Sequence, residues 1–145
     1  IRGCAVGAMR ASGFGADMPD YWQGANREIC VMPQIETEKA VDNIAEIAAV
    51  DGVDILFIGP YDLTVSAGYD PLSPSPEAAA LIARAEDAIR AAGKPMGAVP
   101  HSGLDIDGMF GRGYAMVAGA SELSLMRGAA LAQVAAHRAR TGSDR

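Results

Sequence analysis

Val53-Asp54-Ile55-Leu56-Phe57-Ile58 is almost unbroken in apolar side chains for the length of one strand, and Gly59-Pro60-Tyr61-Asp62-Leu63 follows at once. A strand with apolar residues on both faces belongs in a parallel sheet covered on both sides. The Gly-Pro pair predicts a tight turn at the strand's C-terminal end, with Asp62 hanging over that end. Comparable units flank this one. Upstream, residues 30–35 predict a strand ending in Glu36, and Thr37 is placed to cap a helix with Glu38 in its first turn. Val41, Ile44, Ala45 and Ala48 fall three and four apart, which predicts one buried stripe. Downstream, residues 68–75 are rich in Gly, Pro and Ser and read as a loop. Ser75-Pro76-Glu77 is a helix start, a capping hydroxyl followed by a proline and an acid. That helix turns Leu81, Ile82, Ala85 and Ile89 inward and stops at Gly93. Residues 94–99 predict a third strand, 104–110 a short helix and 114–118 a fourth strand. Residues 121–140 predict a last helix with Leu125, Met126, Ala129 and Val134 on its apolar side.

Strand and helix alternate four times, the pattern of a parallel α/β sheet or barrel. A complete (β/α)₈ barrel needs about 250 residues, so four βα units in 145 residues amount to half of one. A doubly wound domain is not excluded by the pattern alone. Residues 1–145 are expected to form a single domain, with 1–29 a glycine-rich loop and a short helix at 19–26 leading into the first strand. A chain opening at Ile1, with no initiator Met, reads as a fragment, and no signal peptide is visible.

Half the residues are hydrophobic and 21% are charged, the balance of a soluble globular domain. The formal net charge is -6 and no Lys/Arg cluster exists that could follow a phosphate backbone, so nucleic acid is excluded as a partner. Aromatics at 6% argue against a base-stacking surface. No apolar run approaches the roughly 18 residues a membrane span needs. Cys4 and Cys30 stand alone beside apolar residues and are expected to be buried thiols in a reducing, cytoplasmic compartment. The methionines read as core filler. The glycine-rich opening lacks a GxGxxG after a strand, so a Rossmann phosphate site is not supported.

Chemistry concentrates at two strand ends. In Pro33-Gln34-Ile35-Glu36-Thr37, strand alternation puts Gln34 and Glu36 on one face and Ile35 on the other. The C-terminal ends of buried strands are where α/β proteins carry their reactive groups. The plainer alternative is that Glu36 belongs to the next helix's first turn and is solvated. In Gly59-Pro60-Tyr61-Asp62-Leu63 the backbone N–H groups could face an anion, or Asp62 could simply cap a short helix at 63–66. Glu36 and Asp62 lie one βαβ repeat apart, so their carboxylates could converge from neighbouring strand ends. Two carboxylates with positions left for water suit a hard divalent cation such as Mg²⁺ or Mn²⁺, with Co²⁺ a further option. No Cys/His spacing suggests structural zinc.

The stretches 31–37 and 52–63 together resemble the HpcH/HpaI aldolase/citrate lyase family, in its metal-dependent 4-hydroxy-2-oxo acid aldolase branch. Ile1-Arg2-Gly3, Arg10-Ala11-Ser12, Gly93-Lys94-Pro95 and Gly97 resemble that branch too. The resemblance implies a TIM barrel of which this chain is the C-terminal half. It implies a divalent metal between Glu36 and Asp62, chelated by the ketone and carboxylate oxygens of an oxo acid. Gln34 matches a residue that contacts the substrate, and Tyr61 and Asp62 match positions whose backbone N–H groups hold its carboxylate. The implied reaction splits a 4-hydroxy-2-oxo acid into pyruvate and an aldehyde, the metal acting as a Lewis acid toward the enolate. A homo-oligomer with an exchanged last helix is implied as well.

Two departures stand out. Tyr61 occupies a position where the family usually has a small residue. The family's general-base His and substrate-binding Arg come from the barrel half that this chain does not match, so no catalytic residue is assigned here. His101, at the end of the third strand, does not match that base; a solvated or hydrogen-bonded His is the plainer reading. His137 reads as a surface residue. Arg2 and Arg10 are given no catalytic role. Two other readings are a citrate-lyase-like or CoA-ester lyase and a non-catalytic metal-binding half-barrel.

Overall fold

Strand order in space repeats strand order in the chain. The computed structural model describes residues 5–73 and 75–142. Ile1 to Gly3, part of the motif read above, and Cys4 lie outside them. Four parallel strands, β1 (Gln34–Ile35), β2 (Leu56–Ile58), β3 (Met96–Ala98) and β4 (Met116–Val117), pair in the order β1-β2-β3-β4. The helix α1 (Met18–Gly24) precedes them, after 3₁₀ turns at Val6–Ala8 and Arg10–Gly15. Helices α2 (Glu38–Asp42) and α3 (Ile44–Ala48) follow β1. After β2 come α4 (Pro60–Ser66) and α5 (Pro76–Ala91), α6 (Ile106–Gly111) follows β3, and α7 (Glu122–Thr141) follows β4. Four βα units in consecutive parallel order are half of a (β/α)₈ barrel.

The strands are shorter than the apolar runs that predict them. At β1, Pro33 has no N–H to give, and the Val31 N–H is taken by the Asp54 side chain (2.8 Å to Oδ2). The ladder therefore thins upstream of Gln34, although Phe57 N–H still reaches Pro33 O at 3.0 Å. Cys30 consequently lies exposed, which corrects the expectation of a buried thiol. The single helix expected after Thr37 is two helices. Asn43 (φ -96, ψ 7) leaves helical geometry between them, which keeps Val41, Ile44 and Ala48 buried but turns Ala45 out to solvent.

The capping residues read from the sequence do cap: Thr37 accepts from Ala40 N–H, Ser75 from Ala78 N–H and Ser121 from Ser124 N–H. The core lies between the sheet and α2, α3 and α5. Ile35, Leu56, Ile58, Met96 and Ala98 from the strands meet Val41, Ile44, Leu81, Ile82, Ala85 and Ile89 from the helices. Each fully buried aliphatic side chain contributes about 1.5–3 kcal/mol of transfer free energy. Gly97 pairs with Phe57 across the sheet, and a Cβ there would stand 2.8 Å from the Phe57 ring. Lys94 Nζ donates to Val53 O and ties β3 to β2 at the N-terminal end of the strands.

α7 differs from every other helix of the βα units. Each of its residues is exposed, including Leu123, Leu125, Met126, Leu131 and Val134. The apolar side expected to pack finds nothing to pack on within the described chain.

Candidate active site

The C-terminal ends of β1 and β2 bring Glu36 to Gly59. Register aligns Ile35 with Ile58, and Gly59 N–H donates to Ile35 O at 3.1 Å, so Glu36 stands level with the turn that leaves β2. Its half-buried side chain lies across that turn. A Cβ on Gly59 would sit 2.7 Å from Glu36 Cγ and 2.9 Å from Oε1. Glu36 is outside the next helix, whose cap is Thr37 and whose first residue is Glu38, so it is not a first-turn acid. Ile35 is fully buried while Gln34 is exposed on the opposite face, as the alternation requires.

Gly59 is the N-cap of α4 and Pro60 its first residue, with Tyr61 and Asp62 completing the first turn. Asp62 is therefore a first-turn residue of a helix beginning at Pro60, and it caps nothing. No side chain caps α4, so the N–H groups of Tyr61 and Asp62, which have no partner one turn back, face outward from the strand end. Thr64 Oγ1 donates to Pro60 O at 2.7 Å and closes the turn from behind. Among the described residues no cluster of three or more His, Cys, Asp or Glu could hold a metal ion. Any cation at this end would rest on the Glu36 and Asp62 carboxylates, with its other positions open to oxygens from outside the protein. An all-oxygen, two-carboxylate set of this kind fits a hard divalent cation. Gly59→Ala is expected to leave the fold intact, since Gly59 has a negative φ of -94 that alanine adopts and the crowded Glu36 side chain, close at Cγ, can rotate away. It should nevertheless push Glu36 aside and weaken Mn²⁺ binding by about tenfold, measured by electron paramagnetic resonance.

Beside α4 lies a cavity of about 550 Å³, walled by Pro60, Tyr61 and Thr64, the 70–73 segment, the start of α5, and His101 to Gly103. His101 is 6% exposed. Its Nδ1 is 2.9 Å from Val99 O, an oxygen that can only accept, so Nδ1 carries the proton. Nε2 is 3.4 Å from Tyr114 Oη. Tyr114 in turn donates to Glu86 Oε1 at 2.7 Å, and Glu86 Oε2 accepts from Arg112 Nε at 2.8 Å and Arg90 Nη2 at 3.3 Å. Burial, then the Glu86 hydrogen bond, push the Tyr114 phenol far above its ordinary range, so it keeps its proton. His101 is thus a hydrogen-bonded wall of the cavity. Sequence reasoning passed over Glu86 and Tyr114, although Glu86 stands among Ile82, Ala85 and Ile89 on the inward side of α5, an unusual place for an acid. At the cavity's edge, Leu72 N–H and Ser73 Oγ hold the Asp70 carboxyl below its usual range. His137 and Arg10 are exposed.

The family model described as HpcH/HpaI aldolase/citrate lyase matches residues 4–129. A hydroxypyruvate/pyruvate aldolase of Chromohalobacter salexigens is 36% identical over 138 residues, covering 95% of this chain and 54% of that protein. A 4-hydroxy-2-oxo-heptane-1,7-dioate aldolase of Shigella sonnei is 45% identical over 97 residues, covering 67% and 37% respectively. The crystal structure of an HpcH/HpaI aldolase/citrate lyase family protein from Burkholderia cenocepacia superimposes with a TM-score of 0.75 at 32% identity, covering 95% of this chain and 53% of that one. The chain spans about half the length of the relatives it matches along most of its own length.

Proposed function

Because the chain belongs to the HpcH/HpaI aldolase/citrate lyase family, we propose that it forms the cation- and oxo-acid-binding end of a divalent-metal-dependent pyruvate aldolase. The reaction is cleavage of a 4-hydroxy-2-oxo acid into pyruvate and an aldehyde. The observation that carries this reading is the Glu36 side chain lying over Gly59, one strand away from its own, with Asp62 in the helical turn that follows.

Glu36 and Asp62 are the residues that would hold the cation, which when bound supplies Lewis acidity toward the ketone and carboxylate oxygens of the oxo acid. Mg²⁺ and Mn²⁺ fit the oxygen donors best. The N–H groups of Tyr61 and Asp62 donate to the substrate carboxylate, and Gln34, on the same face as Glu36, orients the oxo acid. In the cleavage the C3–C4 bond breaks and the C4 hydroxyl proton passes to a base as the aldehyde departs. The three-carbon fragment then takes a proton at C3 to become pyruvate. None of the residues assigned here supplies that base; His101 is held through Nδ1 by Val99 O as part of the cavity wall. An oligomer belongs to the same proposal, because the exposed Leu125, Met126 and Val134 of α7 need a surface to cover them, and a neighbouring subunit offers one.

A version extended N-terminally by the strands present in its relatives is expected to release pyruvate from a 4-hydroxy-2-oxo acid with an uncharged tail when Mg²⁺ or Mn²⁺ is present, and to stop when the metal is chelated. The 145-residue chain alone should turn over very slowly or not at all. Fast metal-dependent turnover by the short chain would contradict the assignment of the base elsewhere. A fully inactive extended protein would remove the aldolase reading.

A further inference from the structure

The cavity beside α4 shares Tyr61 with the proposed oxo-acid end and extends away from it. We infer that this cavity, walled by Tyr61, Thr64, Leu72, Ala79, Ile82 and His101, receives the uncharged chain of the aldehyde partner and turns away a chain ending in a carboxylate. For the ligand's identity the inference rests on the aldolase reading; the charge preference itself does not.

Charge decides it. Among the described residues no Lys or Arg lines the cavity, whereas Asp70 does. The carboxylates of Asp62 and Glu77 sit next in sequence to the lining residues Tyr61 and Pro76. Cations of the surrounding elements are engaged elsewhere. Arg84 pairs with Asp42 at 3.2 Å, Arg90 and Arg112 are bound to Glu86, and Lys94 holds Val53 O at the other end of the strands. An incoming carboxylate would lose water, meet no cation and face like charge. An incoming ammonium would lose water for an Asp70 carboxylate already bonded to Leu72 N–H and Ser73 Oγ.

An uncharged chain meets neither difficulty. Most of the wall is apolar, with Pro60, Pro71, Leu72, Ala78, Ala79 and Ile82 contributing to it. Tyr61 and Ser102 also line it, and their hydroxyls make no hydrogen bond to other described residues, so they are free to serve a hydroxyl or carbonyl on the ligand. His101 does not swing into the cavity, because its Nδ1 is held by Val99 O and its ring packs edge-on against Tyr114.

The chain's composition offers a direct readout. It has two histidines, so His137→Asn leaves His101 as the single imidazole signal in a proton NMR spectrum. Butane-1,4-diol and 4-hydroxybutyrate, equal in carbon length and differing in one carboxylate, are titrated into the purified chain. The His101 C2–H resonance should move saturably with the diol, and 4-hydroxybutyrate should need at least about tenfold more for the same shift. Ser73→Arg, an exposed position on the wall, should reverse the order. Ala79→Trp should abolish the diol's effect with the far-ultraviolet circular dichroism unchanged. Equal or tighter binding of the anion to the parent chain, no saturable shift with the diol, or an order unchanged by Ser73→Arg would each overturn the inference. The Ser73→Arg comparison decides the matter even if Ala79→Trp fails to fold. These titrations read no turnover, so an inactive extended protein would end the aldolase reading and leave the charge preference standing.

Discussion

Glu36→Gln is expected to lower the affinity of the chain for Mn²⁺ by at least about a hundredfold, because removing even the outer partners of a metal ligand costs 10–100-fold. Among the described residues no third carboxylate joins these two, and the amide that replaces one of them keeps its shape but brings no charge. Asp62→Asn should do the same. The double variant should be little worse than either single one if both act on one cation, since residues working as a unit are not additive. In a barrel-complete protein the same variants should lose cleavage in step with cation affinity, while far-ultraviolet circular dichroism and the unfolding midpoint stay near the parent values. Both side chains are at least partly exposed, and neither is bonded to a core group. Undiminished Mn²⁺ affinity in both single variants would move the cation site elsewhere and take the proposed chemistry with it.

The largest expected loss of stability lies at Glu86. Its side chain is 1% exposed and bonds to Tyr114, Arg112 and Arg90, joining α5 to the α6–β4 connection. Glu86→Ala leaves the Tyr114 hydroxyl without its acceptor and opens a void, which should cost about 2–4 kcal/mol. The upper figures for broken buried ion pairs do not apply, since Arg90 and Arg112 are 43% and 44% exposed and can turn to water. A urea midpoint lowered at unchanged slope would register the loss. Glu86→Gln keeps the volume and should cost less. A pH signature accompanies it. The folded phenol of Tyr114 lies above the value of about 10 that it has when unfolded, so the folded state holds that proton more tightly. The associated stability is fully present below pH about 10 and is lost as the pH rises further. Tyr114→Phe should remove this alkaline decline while lowering stability at neutral pH.

Much of this fold could be read from local pattern because the responsible forces are local. Apolar runs at 53–58 and 94–99, capping hydroxyls at Thr37, Ser75 and Ser121, and the stop at Gly93 each depend on neighbours a few residues away. Strand ends were harder, because they depend on details such as the missing N–H of Pro33 and the Asp54 side chain claiming Val31. The break at Asn43 interrupts an otherwise regular helical stripe, and no proline or glycine announces it. At the candidate site, alternation placed Gln34 and Glu36 together, and the turn at Gly59 was visible as a Gly-Pro pair. Glu86 and the wall formed by His101 were not legible. Their partners Arg112 and Tyr114 come from another βα unit, and only tertiary structure brings them within reach.

Neighbours in the sheet being neighbours in the chain has a consequence for how the molecule is made. Gln34 pairs with Phe57, Leu56 with Met96 and Gly97 with Met116, so no strand must wait for one from the far end of the polypeptide. Each ring closed on the way is short and its entropic penalty modest. The sheet can therefore grow by accretion as the ribosome delivers it, one βα unit docking on the last. α7 follows the four described strands, and its apolar side is the one surface among the βα-unit helices that no described residue covers.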